Sequence, residues 1–256
     1  MIKLERPDKP SELTEEKEKE LVQEFKDTER AVWRKDYITE PLFNMSHGKC
    51  CYCETVLGTQ ARPMNVEHFH CKEAYPNEVV TWDNLLPSCG QCNSNKGKHD
   101  TIKDGLIINP TIDNPKEYLY LKYFMIKSKD NQLGSIGRRT VELLDLNNRE
   151  RLVNPRILIA DTMRQKLENI HEKAVDLAGR QDGKQYNRTK IVNGIRDILR
   201  MAQPDAEYSA FMSTIILTDE DYLETRDILI AKELWTKEFE VMHNKASEIK
   251  LDTEIK

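Results

Sequence analysis

The sequence predicts an α+β protein that is mainly α, with a small cysteine-clamped β unit between an N-terminal helix and a C-terminal helical domain. Three observations predict it. Two CxxC pairs, Cys50–Cys53 and Cys89–Cys92, enclose short extended stretches. A helical stripe of apolar residues precedes them. After Gly137 the apolar residues again recur at three- to four-residue spacing to the end of the chain. The expected division is an N-terminal helical segment over 1–48, a clamped core over 49–137 and a helical domain over 138–256.

Taken in order, Ser11 to about Asp36 reads as a helix. Thr14 caps it, Glu15 and Glu16 sit where the helix dipole favours acids, and Leu21, Val22, Phe25, Val32 and Trp33 form its apolar stripe. The charge run along it reads as a solvated face. A short second helix is expected near Glu40 to His47. Val66–Phe69 is a short extended stretch, and Thr81–Leu86 is another that ends at Pro87. Cys89–Cys92 opens a helix running through Asn95 and Lys96. Leu106–Ile108 and Tyr118–Ile126 add β-type segments, with a turn at Asp130-Asn131.

Beyond these, Val141, Leu144 and Leu146 mark one helix. Ile159, Met163, Leu167, Ile170, Ala174 and Leu177 mark a longer one that Pro155 begins or kinks. Gly179–Gly183 is the linker candidate. Ile191, Ile195 and Ile198 give a third helix, and Tyr208, Phe211, Met212 and Ile215 a fourth. The last starts at Thr218, ahead of Asp219-Glu220-Asp221.

Composition points to an intracellular, cytoplasmic setting. The charged start, Met1 to Pro7, has no apolar run and is not a secretory signal. No stretch reaches the ~18 apolar residues a membrane helix needs. All six cysteines fall between Cys50 and Cys92, which fits a metal cluster in a reducing compartment better than a disulfide framework. A net charge of −5 argues against bulk attraction to nucleic acid, so any such contact is local, metal-assisted or shared with a partner. No phosphate-cradling glycine loop or ATP motif is present.

Zinc favours four thiolates in a tetrahedron, and two residues between cysteines let both sulfurs of a turn reach one ion. Cys50, Cys53, Cys89 and Cys92 therefore read as a closed structural zinc site; the alternative is a set of reduced, buried thiols. Cys51 and Cys71 are left over: Cys51 could compete for the ion, but its side chain should point away from a shared centre, and Cys71 reads as structural. Between the pairs lie residues suited to phosphodiester hydrolysis. His68 titrates near neutrality and can act as a general base. Glu67 and Asn93 offer oxygen ligands for catalytic Mg²⁺ or Mn²⁺. Asn84 is placed to orient the imidazole, and Lys96, nearly a helical turn past Asn93, to meet a phosphate. His70 shares the strand face of His68 and is a further candidate at the metal. His99-Asp100 reads as surface.

Val66-Glu67-His68-Phe69, Trp82 to Cys89 and Cys92 to Gly97 resemble the signature of the HNH (ββα-metal) endonucleases. The resemblance implies a metal-ligating acid at Glu67, a general base at His68, an orienting asparagine at Asn84 and a second metal ligand at Asn93. The CxxC pairs match the zinc-containing branch. Asn93 stands where the family name has its last histidine, and Cys71 where relatives often carry proline. Val32–Tyr37, Met45–Cys50, Ile107–Pro110 and Leu144–Arg149 resemble, more narrowly, the HNH nucleases of the two-component Septu anti-phage systems, and HNH proteins of some retrons are similar. This implies DNA as substrate and an ABC-type ATPase, PtuA, as partner, with the helical tail as its platform or as a self-association surface. The alternatives are a non-catalytic zinc-stapled binding module and a stand-alone HNH restriction-type nuclease.

Overall fold

The computed structural model describes residues 1–129, 135–179 and 185–253. The chain is mainly helical with two small two-stranded sheets, and it forms two compact units: 1–119 with 127–147, and 120–126 with 148–256. The asparagine turn at Asp130-Asn131 and most of the Gly179–Gly183 linker lie outside the described residues.

In the first unit, α1 (Glu15–Thr28) starts where expected, with the Thr14 hydroxyl accepting from the Lys17 N–H at 3.2 Å. It stops eight residues short of Asp36, because Glu29 turns left-handed at φ 56° and its N–H closes on the Phe25 carbonyl at 2.7 Å. Val32 and Trp33 are buried from the connecting loop instead of a helix face. The second helix, α2 (Asp36–Met45), begins earlier than predicted and buries Ile38, Leu42 and Met45.

β1 (Met64–His68) pairs antiparallel with β2 (Leu85–Cys89), from Met64 opposite Cys89 to His68 opposite Leu85. The expected strand over Thr81–Leu86 is thus displaced: Trp82–Asn84 is a 3₁₀ turn, and Pro87 lies inside β2. A ribbon of two strands leaves each strand an outer edge, where proline's missing N–H costs no ladder bond. The Pro87 carbonyl still accepts from Cys51 N–H at 2.9 Å. α3 (Gly90–Lys96) follows directly, completing a ββα unit.

α4 (Pro115–Tyr118) leads into the ribbon of β3 (Leu119–Lys122) and β4 (Met125–Ser128), whose turn carries Tyr123 at φ 56°. Leu106–Ile108 forms no strand. Ile107 and Ile108 are buried, and the Ile108 N–H is satisfied by the Thr140 hydroxyl at 2.8 Å from α5 (Ile136–Leu143). Leu146 falls just beyond α5 but is buried with Leu144.

The second unit is a helical assembly. A π-type turn over Arg149–Val153 runs into α6 (Asn154–Gly179), with Pro155 in its first turn, where a missing N–H is tolerated. Met163, Leu167, Ile170, Ala174 and Leu177 line its buried side. Against it lies α7 (Gln185–Met201), which buries Ile191, Ile195 and Ile198. Gly194 allows the approach: a Cβ there would sit 2.6 Å from Ile170 Cδ1. α8 (Ser209–Thr218) buries eight of its ten residues, including Phe211 and Met212. α9 (Glu220–Ala231) is capped by Asp219, one residue past the expected start, because Thr218 closes α8. The chain then turns at Glu233 (φ 57°) into α10 (Lys237–Ile249), a helix the sequence reading missed. Its buried residues are only Phe239 and Ala246, too sparse a stripe to stand out. Among the described residues no helix is long and apolar enough to cross a membrane.

Candidate metal centre and adjoining polar site

The first CxxC forms a tight knuckle after α2. The Cys50 N–H bonds the Thr55 carbonyl at 2.9 Å, and Glu54 takes a left-handed conformation (φ 63°) to close the turn. Gly48 precedes it at φ 68°, where an added Cβ would meet the Phe43 ring at 3.0 Å. The second CxxC spans the end of β2 and the first turn of α3. The sulfurs of Cys50, Cys53, Cys89 and Cys92 all lie within 4.8 Å of one another, and all four residues are buried. Cys53 and Cys89 sulfurs are 3.7 Å apart. A tetrahedral Zn–S site with ~2.3 Å bonds has sulfur edges of about 3.8 Å, so the cluster fits the ion. Cys89 Sγ accepts the Cys92 N–H at 3.4 Å, and Cys53 Sγ lies 3.2 Å from the Thr55 hydroxyl, contacts that suit thiolates. Cys51 is outside the cluster. Burial, with Cys50 beside it, pushes its thiol well above the usual range and keeps it protonated. Cys71 is buried and also outside the cluster.

A second polar group gathers at the end of β1. Glu67, His68, Asn84 and Lys96 are all buried, each no more than 6% exposed. His68 Nε2 lies 2.9 Å from the Val79 carbonyl, and the ring stands edge-on to Trp33 with centroids 4.4 Å apart. A carbonyl only accepts, so Nε2 carries the proton and the Nδ1 lone pair is left to take one. Burial lowers the His68 pKa to about 4, partly countered by the Val79 contact, so the ring is neutral at pH 7.

Asn84 does not orient that ring directly, contrary to expectation. Its Oδ1 accepts the His70 N–H at 2.7 Å, and its Nδ2 donates to the carbonyls of His70 (3.2 Å) and Glu78 (3.1 Å). It clamps both ends of the loop that carries Val79, and so acts on His68 through the backbone. An asparagine with acceptor and donors on one planar group can bridge a loop in this way, whereas an imidazole would use only one of them. Val79 and Trp33, the two direct partners of the imidazole, were missed by sequence reasoning. A backbone carbonyl leaves no residue signature, and Trp33 was read as helix stripe.

Lys96 also departs from expectation. It does not present its charge to solvent for a phosphate; its Nζ lies 2.7 Å from Glu67 Oε1 and 2.7 Å from the His68 carbonyl oxygen. The physical reason is the buried carboxylate opposite, which needs a counter-charge. Desolvation raises the Glu67 pKa to about 7 against the opposing pull of Lys96. Lys96 and Glu67 form a buried ion pair at 2.7 Å. A carboxylate in a dry site suits a hard cation, and Asn93 is half-exposed one turn before Lys96 on α3.

His70 pairs through Nδ1 with Glu78 Oε2 at 2.7 Å and is half-exposed. His99 Nε2 lies 2.8 Å from the Gly105 carbonyl, a turn-closing role. Asp100 caps the same turn, accepting from the N–H groups of Ile102 and Lys103 and from the Tyr75 hydroxyl.

Fold and centre together define the class: a mainly helical protein built around a zinc-type, cysteine-stapled ββα unit. Over 246 residues the chain is 39% identical to the Septu protein PtuB of Bacillus thuringiensis, covering 96% of this chain and 93% of that protein. It is 27% identical to the Septu protein PtuB of Bacillus mycoides (strain KBAB4), covering 78% and 79% of the two chains. The chain belongs to the Septu PtuB family. No family model and no solved structure matches it.

Proposed function

We propose that the chain is a divalent-metal-dependent HNH endonuclease that cleaves DNA in anti-phage defence, in the cytoplasm, alongside an ABC-type ATPase, PtuA. The observation that carries the reading is the state of His68. Its imidazole is neutral, its Nε2 is tied to Val79, and Nδ1 keeps its lone pair, all within a zinc-stapled ββα unit. Nδ1 takes the proton of a water whose oxygen attacks phosphorus; the 3′-oxygen leaves and a 5′-phosphate remains. Glu67 and Asn93 are the residues that would hold Mg²⁺ or Mn²⁺, which supplies charge stabilisation at the phosphate and the departing oxygen. Asn84 keeps the base in register by holding the His70–Glu78 loop. The membership in the PtuB family supports the defence setting, and the helical unit is assigned to partner docking.

The test is nicking of supercoiled plasmid with Mg²⁺ or Mn²⁺ by wild type and His68→Ala, each with and without the ATPase. Loss of nicking in the variant at unchanged zinc content is expected, and dependence on the ATPase would separate this reading from a stand-alone nuclease. The second reading, a non-catalytic zinc-stapled binding module, is favoured by one observation: the Glu67 carboxylate is already balanced by a buried lysine. It requires that no combination cleaves and that His68→Ala leaves partner binding intact.

A further inference from the structure

Lysine and glutamate are rarely buried unless paired, and here both Lys96 and Glu67 are 2% exposed. The ammonium reaches from the last turn of α3 to the end of β1. There it touches the side chain of Glu67 and the backbone carbonyl of His68, each at 2.7 Å. Two consecutive residues of the proposed site are therefore held by one positive charge. Asn93 lies three residues earlier on α3, hence on the same helix face. The contact with Glu67 pairs opposite charges, whereas the contact with His68 is a hydrogen bond to a neutral oxygen. A divalent cation competes for the charged carboxylate and not for the neutral carbonyl, so the first contact is the one it can replace. Two cations on one buried carboxylate also repel strongly, because little water screens them.

We infer that Lys96 is the resident counter-ion of Glu67 in the metal-free protein, and that a divalent cation binds by displacing the ammonium from the carboxylate while the His68 carbonyl retains it. Lys96 is then a positioning residue that sets the threshold concentration of metal. It keeps the ligand buried beside a balancing charge, and it opposes weak or singly charged ions. The inference rests on the reading of Glu67 as a metal ligand.

The experiment is Mn²⁺ binding to the zinc-loaded full chain without DNA, followed by calorimetry and by the electron paramagnetic resonance of free Mn²⁺. Lys96→Met is expected to tighten Mn²⁺ binding at least tenfold. Lys96→Gln, which keeps two N–H donors for Glu67 and the His68 carbonyl but removes the charge, should shift in the same direction. Glu67→Gln should abolish binding in either background. Unchanged or weaker Mn²⁺ binding in the lysine variants, with Glu67→Gln still abolishing it, overturns the inference and leaves the ligand reading standing. Binding that survives Glu67→Gln overturns the ligand reading, and the inference with it. Should the lysine variants fail to fold, the Lys96 ammonium signal of the wild-type chain decides by nuclear magnetic resonance. It shifts when Mg²⁺ binds, and an unmoved signal at saturating Mg²⁺ overturns the inference.

Discussion

The helical unit and the ββα unit differ in how much of what they bury is ionisable. α8 buries eight of its ten residues, and Ser213 and Thr214 within it bond back to carbonyls of their own helix. The ββα unit has two five-residue strands and a seven-residue helix, and it encloses Glu67, His68, Asn84, Lys96 and four thiols. Burying such groups costs free energy that so small an apolar core does not return. The difference teaches where the metal matters. One unit is held by excluding water, and the other sets polar groups that a hydrophobic core would reject beside four thiols that could hold zinc.

The strongest way to break this comparison is to remove the metal. Structural zinc contributes roughly 10–16 kcal/mol of folding free energy in small domains. Chelation, or Cys53→Ser, should unfold the ββα unit while α6 to α10 remain folded. Hydrogen exchange resolved along the chain checks this: exchange should rise in β1, β2 and α3 and stay slow in α8. Equal loss of protection in both units would break the comparison.

The converse experiment is Phe211→Ala. Phe211 is 1% exposed and packs on Phe124 with ring centroids 6.0 Å apart. Truncating a buried phenylalanine costs about 3–5 kcal/mol. Calorimetry should show the helical transition lowered, with bound zinc unchanged by metal analysis.

A pH series sharpens the contrast further. The folded pKa of His68, about 4, is below its ordinary 6.5. Between those values the unfolded chain binds a proton that the folded chain refuses, so stability falls as pH drops from 6.5 through 4. The full effect is roughly 3 kcal/mol. Glu67 runs the other way: its folded pKa of about 7 exceeds the ordinary 4.5, so its contribution is lost as pH rises from 4.5 through 7. Comparing denaturant midpoints of wild type and His68→Gln over pH 4–7 isolates the histidine. The acid slope should shrink in the variant.

The smallest effect comes from two matched caps. Thr14 caps α1 and Thr236 caps α10, with hydroxyl-to-amide distances of 3.2 and 3.3 Å. Thr→Ala at either should cost about 1 kcal/mol. Thr14→Ala should register in the first unit and Thr236→Ala in the second, as read by hydrogen exchange.

Much of the architecture was legible because it rests on local chemistry. Thr14 announced a helix start, the apolar period marked α6 and α7, and the CxxC spacing named the four clustered thiols. Where the reading slipped, a distant or unpatterned partner decided. Ile107 and Ile108 look like a strand, but the Ile108 amide is satisfied by Thr140. Thr81–Asn84 looked extended, yet it coils into a 3₁₀ turn ahead of β2. α10 offers only two buried residues, too few for a pattern.

At the site, residue identity and spacing by themselves determined the cysteine cluster and placed Glu67, His68, Asn84, Asn93 and Lys96 on the ribbon, its connecting loop or the helix that follows. Only the tertiary structure decided what those side chains touch. Asn84 grips a loop and leaves the imidazole to the Val79 carbonyl, and Lys96 turns inward to Glu67. The reason is physical: spacing fixes which face a residue lies on, but the partner of a buried polar group is set by which donors, acceptors and charges the fold leaves unsatisfied around it.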